Sequence, residues 1–216
     1  MNTAHLIDLL AQDAPVKWRL PGRLALAFVA GAAAAAVILV FGIGLRPDLA
    51  TASYTMRVQF KFVFALTLLS GAAGAVAQAG RPDSTLGPST FGIWASVLAA
   101  VPVLLGLAIV AELAATPAQS WMQRLIGHNA LYCLAFVPLL AVVPLVCLLI
   151  ALRESAPERP EWAGAMAGLA AGGIAAVLYA SHCPDDSPLF VAVWYPSAIA
   201  AVTAAGYFAG ARLLKW

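Results

Sequence analysis

The chain has 216 residues, 62% of them hydrophobic and only 10% charged, with a formal net charge of +2 at pH 7 and a mean hydropathy of +0.89. So little polar surface cannot cover a water-soluble domain of this size, and so small a charge gives no basis for direct nucleic-acid binding. The composition fits an integral membrane protein.

The first 23 residues stand apart from the rest. In 2-NTAHLIDLLAQDAPVKWRLPGR-23, Leu6, Leu9 and Leu10 follow helical spacing, Ile7 widens the apolar stripe, and Asn2 or Thr3 is placed as an N-cap. Pro15 ends the helix. A helix that lies on a membrane surface usually carries Lys and Arg on its polar face. This one carries His5, Asp8 and Asp13, and an anionic leaflet repels the two aspartates. Leu6, Ile7, Leu9, Leu10 and Asp13 are therefore read as a partner-binding face suited to a protein groove. A membrane-lying helix is the alternative.

A bilayer core about 30 Å thick takes roughly 20 apolar residues per helix. Six stretches meet or approach that length: Leu24–Leu45, Val58–Ala79, Phe91–Ala111, Ala130–Ala151, Ala163–Ala180 and Phe190–Ala211. The first is longer than the apolar core of a signal peptide and is read as a retained helix. The fold class is thus all-α: a bundle of six transmembrane helices over 24–211, between an N-terminal segment, 1–23, and a short tail, 212–216. Six spans put both termini on one side. That side holds Lys17, Arg19, Arg23, Arg81, Arg153, Arg159, Arg212 and Lys215, whereas the other holds Arg46, Arg57, Lys61 and Arg124. The positive-inside rule makes both termini cytoplasmic.

Within the spans, Lys61 is the one fully charged side chain, and its place near a helix end suits snorkelling. It is read as structural. With no buried acid–base pair in the spans, ion-coupled transport has little to work with. Gly71 and Gly74 in the second span, Gly164, Gly168 and Gly172 in the fifth, and Gly206 and Gly210 in the sixth form small-residue faces through which helices pack closely in lipid. The fifth and sixth helices are the expected pair. Pro138 and Pro144 are expected to bend the fourth helix. The longest connection, 112–129, is too short for a catalytic domain. No P-loop, GxSxG, HExxH or GxGxxG occurs. The chain is not read as an enzyme.

Three cysteines remain: Cys133, Cys147 and Cys183. Loop parity puts Cys133, at the head of the fourth helix, and Cys183, just past the fifth, near the non-cytoplasmic face. Cys147 falls roughly 21 Å deeper at 1.5 Å per residue. Two outward thiols in an oxidising space form a disulfide or bind a soft metal. His128 and His182 would complete a set of two Cys and two His suited to Zn²⁺, Cd²⁺ or a related cation acting as a signal; no resident cofactor is required. The competing readings are that Cys133 is a small buried hydrophobe and that His182, Asp185 and Asp186 solvate a proline-bounded turn.

The segment 182-HCPDDSPLFVAVWY-195 resembles the signature of the six-helix bacterial membrane anti-sigma factors of the NrsF type. The resemblance extends to 5-HLIDLLAQDAPV-16, to 46-RPDL-49, to Cys133 and to 212-RLLKW-216, with Asp185 standing where many members look to have Glu. It implies a negative regulator of transcription in the bacterial inner membrane. Such a protein holds an extracytoplasmic-function sigma factor through its cytoplasmic leader and releases it when a heavy metal or oxidant is sensed outside. Carried over by position, Cys133 and Cys183 are the sensing pair, and the segment around Leu6, Leu9 and Leu10 contacts sigma. The alternative is a small metal or solute transporter that uses the same thiols as an entry site.

Overall fold

In a computed structural model, residues 20–80 and 88–215 are described, and among them there are helices and short connections but no strand. The expected partner-binding residues Leu6, Ile7, Leu9, Leu10 and Asp13 lie outside the described residues. The six long helices are α1 (Leu20–Ile38, continued by a π-helical turn over Leu39–Ile43), α2 (Met56–Ala79), α3 (Pro88–Ala115), α4 (Ala130–Arg153), α5 (Pro160–Ala180) and α6 (Pro188–Leu213). All six spans contain a window long and apolar enough to cross a bilayer. Two short helices, Leu49–Ala52 and Trp121–Ile126, sit in the first and third connections.

The ends of these helices follow local chemistry. Thr55 caps α2, its side chain accepting from Val58 N at 3.5 Å. Pro160 and Pro188 open α5 and α6, where a missing N–H costs nothing. Gly44, with φ of +92°, ends α1 in a conformation that side-chain-bearing residues avoid.

The glycines decide the packing. Added Cβ atoms on Gly164 and Gly206 would each collide with the other's carbonyl oxygen. One on Gly168 would lie 2.6 Å from Val202 O. Helices α5 and α6 therefore meet backbone to backbone, as the repeated glycines predict. Gly173 sits against Leu69 of α2, and Ala167, Ala170, Ala171, Ala175 and Ala176 are also buried. Small on every side, α5 becomes the central helix, with 78% of its span buried. By contrast α3 is peripheral, with 6% of its span buried, and it leans on α2 through Trp94 against Gly74 and Leu98 against Gly71. Pro144 is buried and serves as the seat for Gly31 of α1, whose added Cβ would lie 2.7 Å from Pro144 Cα.

Successive long helices alternate in direction, so the odd connections gather at one end of the bundle and the even ones at the other. At the even end Arg23 pairs with Glu154, and Gly80 lies beside Leu20 and Leu152. At the odd end Arg46 N donates to Ser181 O at 3.2 Å, and the α5–α6 connection meets the head of α4.

Candidate functional site

The connection 181–187 is short and bounded by Pro184 and Pro188, so its carbonyls and carboxylates have little freedom. The chain leaves α5 by one more turn, His182 N and Cys183 N both donating to Tyr179 O at 3.0 Å. This turn aims the Cys183 carbonyl and the Asp186 carboxylate inward at α2. There Lys61 Nζ donates to Asp186 Oδ1 at 2.5 Å and to Cys183 O at 2.9 Å. Lys61 is 0% exposed and Asp186 17%.

Arg46, from the first connection, closes the cluster. Its Nη1 donates to Asp186 Oδ2 at 2.8 Å, while Nε and Nη2 grip the two oxygens of Asp48, each at 2.8 Å. The fork of five donors on one planar group is what lets a single residue serve both carboxylates. The hydrogen bond to Asp48, and then Asp186, holds the guanidinium above its ordinary value, and Arg46 in return holds the Asp48 carboxyl below the usual carboxylate range. Two cations and two anions leave this cluster neutral, which makes burial of Lys61 tolerable.

A second ion cluster lies nearby. Glu112, buried near the end of α3, accepts from Arg57 at 3.0 Å and from Arg124 at 3.1 Å. Between the two clusters is an open cavity of about 530 Å³, lined by Arg57, Arg124, His128, Asp185 and Ser187 among others.

Asp185 ties the connection to α4. Its Oδ2 accepts from His128 N at 3.0 Å, Asn129 N at 2.8 Å and Asn129 Nδ2 at 3.0 Å. A carboxylate at a helix N-terminus satisfies amides that have no intrahelical partner and complements the dipole. Here the cap comes from 56 residues away in sequence. Gly127, with φ of +60°, allows the approach, since an added Cβ would stand 2.9 Å from the Asp185 carboxyl carbon.

The consequence is that Cys183 and Cys133 are both buried at this end of the bundle, as free thiols. The two are within electrostatic reach of each other and of Lys61. Burial pushes the Cys183 thiol up, with the Lys61 ammonium opposing. Aromatic rings pack around them: Phe136 lies 6.3 Å from Tyr179, Tyr179 lies 6.1 Å from Tyr195, and Phe64 meets Tyr195 edge-on at 6.5 Å.

The histidines are placed differently from the expected ligand set. The His128 side chain is 84% exposed, with Nδ1 3.8 Å from Asp185 Oδ1. His182 Nδ1 is hydrogen-bonded to Gly44 O at 2.8 Å. Among the described residues no three His, Cys, Asp or Glu side chains are grouped to hold a metal ion. Cys147 is at the opposite end, half-buried in a groove with Arg23 and Glu154.

The reading of Lys61 as a snorkelling residue is corrected. The side chain turns inward and is fully buried in an ion pair, because Asp186 and the Cys183 carbonyl lie within its reach. The expectation that the spans hold no buried acid–base groups falls with it, and Glu112 is a second exception. A lysine inside an apolar run demands an anion, and Asp48, Glu112, Asp185 and Asp186 were the acids at that end, so the demand was visible though the partner was not.

The fold and site define a bundle with six helices long and apolar enough to cross a bilayer, whose distinctive chemistry is two buried thiols beside a neutral ion cluster; the catalytic motifs sought in the sequence do not occur. Residues 10–216 match the family described as "Negative regulator of sigma F". The chain is 34% identical over 220 residues to "Anti-sigma-F factor NrsF" of Caulobacter vibrioides and 31% identical over 224 residues to "Probable anti-sigma-F factor NrsF" of Azospira oryzae. Each alignment covers 100% of both chains. No solved structure gives a significant match. The chain belongs to the NrsF family, which is regulatory rather than catalytic.

Proposed function

We propose that this protein is an anti-sigma factor of the bacterial inner membrane, inserted through its six apolar helices with both termini cytoplasmic. Its leader holds an extracytoplasmic-function sigma factor through Leu6, Ile7, Leu9, Leu10 and Asp13. A heavy metal or oxidant acting on Cys133 and Cys183 from outside releases it. The regulatory part rests on the full-length match to proteins named anti-sigma-F factor. The sensing part is supported by one observation above the others: two free, buried thiols, from α4 and from the α5–α6 connection, lie within electrostatic reach of each other.

The bonds around these thiols suggest a route for the signal. The Cys183 carbonyl is held by Lys61 of α2, and the next residues but one hold α4 and the first connection through Asp185 and Asp186. Drawing the two sulfurs together at a metal, or joining them, displaces this connection and with it its holds on α2, α4 and the first connection. Moving a two-state equilibrium from 99:1 to 1:99 takes about 5.5 kcal/mol. Structural Zn²⁺ sites supply roughly 10 kcal/mol or more, so a metal–thiolate site is strong enough.

The test uses two variants in cells with a sigma-dependent reporter. The C133S/C183S protein should repress normally but fail to induce with metal; normal induction would remove the sensing part. Deleting residues 1–16 should release the reporter without any signal; full repression would remove the leader's role.

A further inference from the structure

Three buried side-chain oxygens among the described residues meet no hydrogen-bond partner of good geometry: Tyr179 Oη, which has only the weakly accepting Cys183 sulfur beside it, Tyr195 Oη and Ser187 Oγ. Buried hydroxyls are almost always paired, because an unmatched one forfeits its bonds to water and gains nothing in return. Two orphans in one place call for an occupant or an acceptor that is missing from the resting protein.

The two tyrosines are in one place. Both are 0% exposed, and their rings stand 6.1 Å apart. Tyr179 precedes Cys183 by one helical turn, Cys183 N donating to Tyr179 O, and its hydroxyl stands against the Cys183 thiol. Tyr195 approaches from α6, within electrostatic reach of both thiols. A neutral thiol is a weak acceptor. A metal-bound sulfur carries negative charge and accepts well, and such outer hydrogen bonds orient and strengthen metal ligands.

We propose that Tyr179 and Tyr195 belong to the thiol centre, their hydroxyls donating hydrogen bonds to the sulfurs of Cys133 and Cys183 when these bind a thiophilic divalent cation. The inference rests on the reading of the two cysteines as the sensing pair. Binding displaces one proton from each thiol, so the cation's two charges enter as two protons leave and the neighbouring neutral cluster keeps its balance. Hard cations such as Mg²⁺ or Ca²⁺ are poorly served, since they take six or more oxygen ligands, whereas sulfur donors favour soft ones.

The full-length protein in detergent micelles is titrated with Cd²⁺, followed by the sulfur-to-metal charge-transfer absorption. Y179F and Y195F should each weaken binding about tenfold, the equivalent of ~1.4 kcal/mol. The metal-free melting temperature should hold steady or rise, because Phe keeps the ring contacts and removes an unpaired hydroxyl. Wild-type affinity in both variants overturns the proposal and leaves the cysteine reading intact, as does a loss of affinity matched by a fall in metal-free stability, the mark of a structural role. Undiminished Cd²⁺ binding by C133S/C183S would instead remove the cysteine reading itself. Should one Phe variant fail to fold, the other, on a different helix, carries the test.

Discussion

Replacing Asp186 by Ala should be among the most damaging single changes at the thiol end of the bundle. The carboxylate sits 2.5 Å from Lys61 Nζ and 2.8 Å from Arg46 Nη1. At an effective dielectric near 20, a pair at the Lys61 distance of 2.5 Å attracts by roughly 7 kcal/mol before desolvation is subtracted. Without Asp186, Arg46 keeps both oxygens of Asp48 and loses little. Lys61 keeps only the Cys183 carbonyl, and a buried charge stripped of its counter-ion costs about 3–5 kcal/mol. K61M is milder, about 1–3 kcal/mol, because Asp186 retains Arg46. In K61M/D186A both charges are gone, so much of the stability lost in D186A should be recovered. Thermal unfolding in detergent micelles reads the series: 3–5 kcal/mol corresponds to a Tm loss on the order of 10 °C in a chain of this length. A double-mutant cycle should show at least about 1.5 kcal/mol of coupling. Equal and additive losses would refute the reasoning, since they would mean that Lys61 and Asp186 do not depend on each other.

Further outcomes follow from the same geometry. D185A removes the cap on α4 and should cost about 1–2 kcal/mol, with hydrogen exchange quickening at the amides of His128 and Asn129, which donate to it; unchanged exchange there would discount the cap. Gly168→Val drives a side chain into Val202 O and Thr203 Cα, 2.6 and 2.9 Å from the added Cβ, and should destabilise α5–α6 packing by at least 1–3 kcal/mol, about the cost of overpacking. Gly22→Ala, with no atom of the described residues within 4 Å of the new Cβ, should be neutral or stabilising in the same melting experiment. Because burial raises the Cys183 thiol, its maleimide reaction in the metal-free C133S/C147S background should be slow at neutral pH. The rate should keep climbing at pH values where an ordinary free thiol, already mostly thiolate, has levelled off; a rate equal to that of the denatured protein would contradict the burial.

The expected stretches and the observed helices agree closely, and the reason is simple. Apolar length is a local property that a bilayer-sized helix must satisfy within its own residues. The run Leu24–Leu45 becomes a helix from Leu20 with a π-helical end, and the stretch Ala163–Ala180 starts earlier, at Pro160. The glycine repeats were legible too, because residues four apart share a helix face, and Gly164, Gly168, Gly206 and Gly210 meet as their spacing predicts.

What the sequence could not supply was partnership across the fold. Nothing near Lys61 says that its counter-ion lies 125 residues away, nor that Asp185 caps a helix begun in another connection. His128 and His182 are sequence neighbours of the right loops, yet one faces solvent and the other is spent on the Gly44 carbonyl. Nothing in the sequence around Tyr179 and Tyr195 says that both buried hydroxyls come within electrostatic reach of the thiols. Helix identity is written in consecutive residues because backbone hydrogen bonds close within four of them. Ion pairing and thiol proximity depend on which helix faces meet, and that is settled only when the glycines of α5 let its neighbours come close.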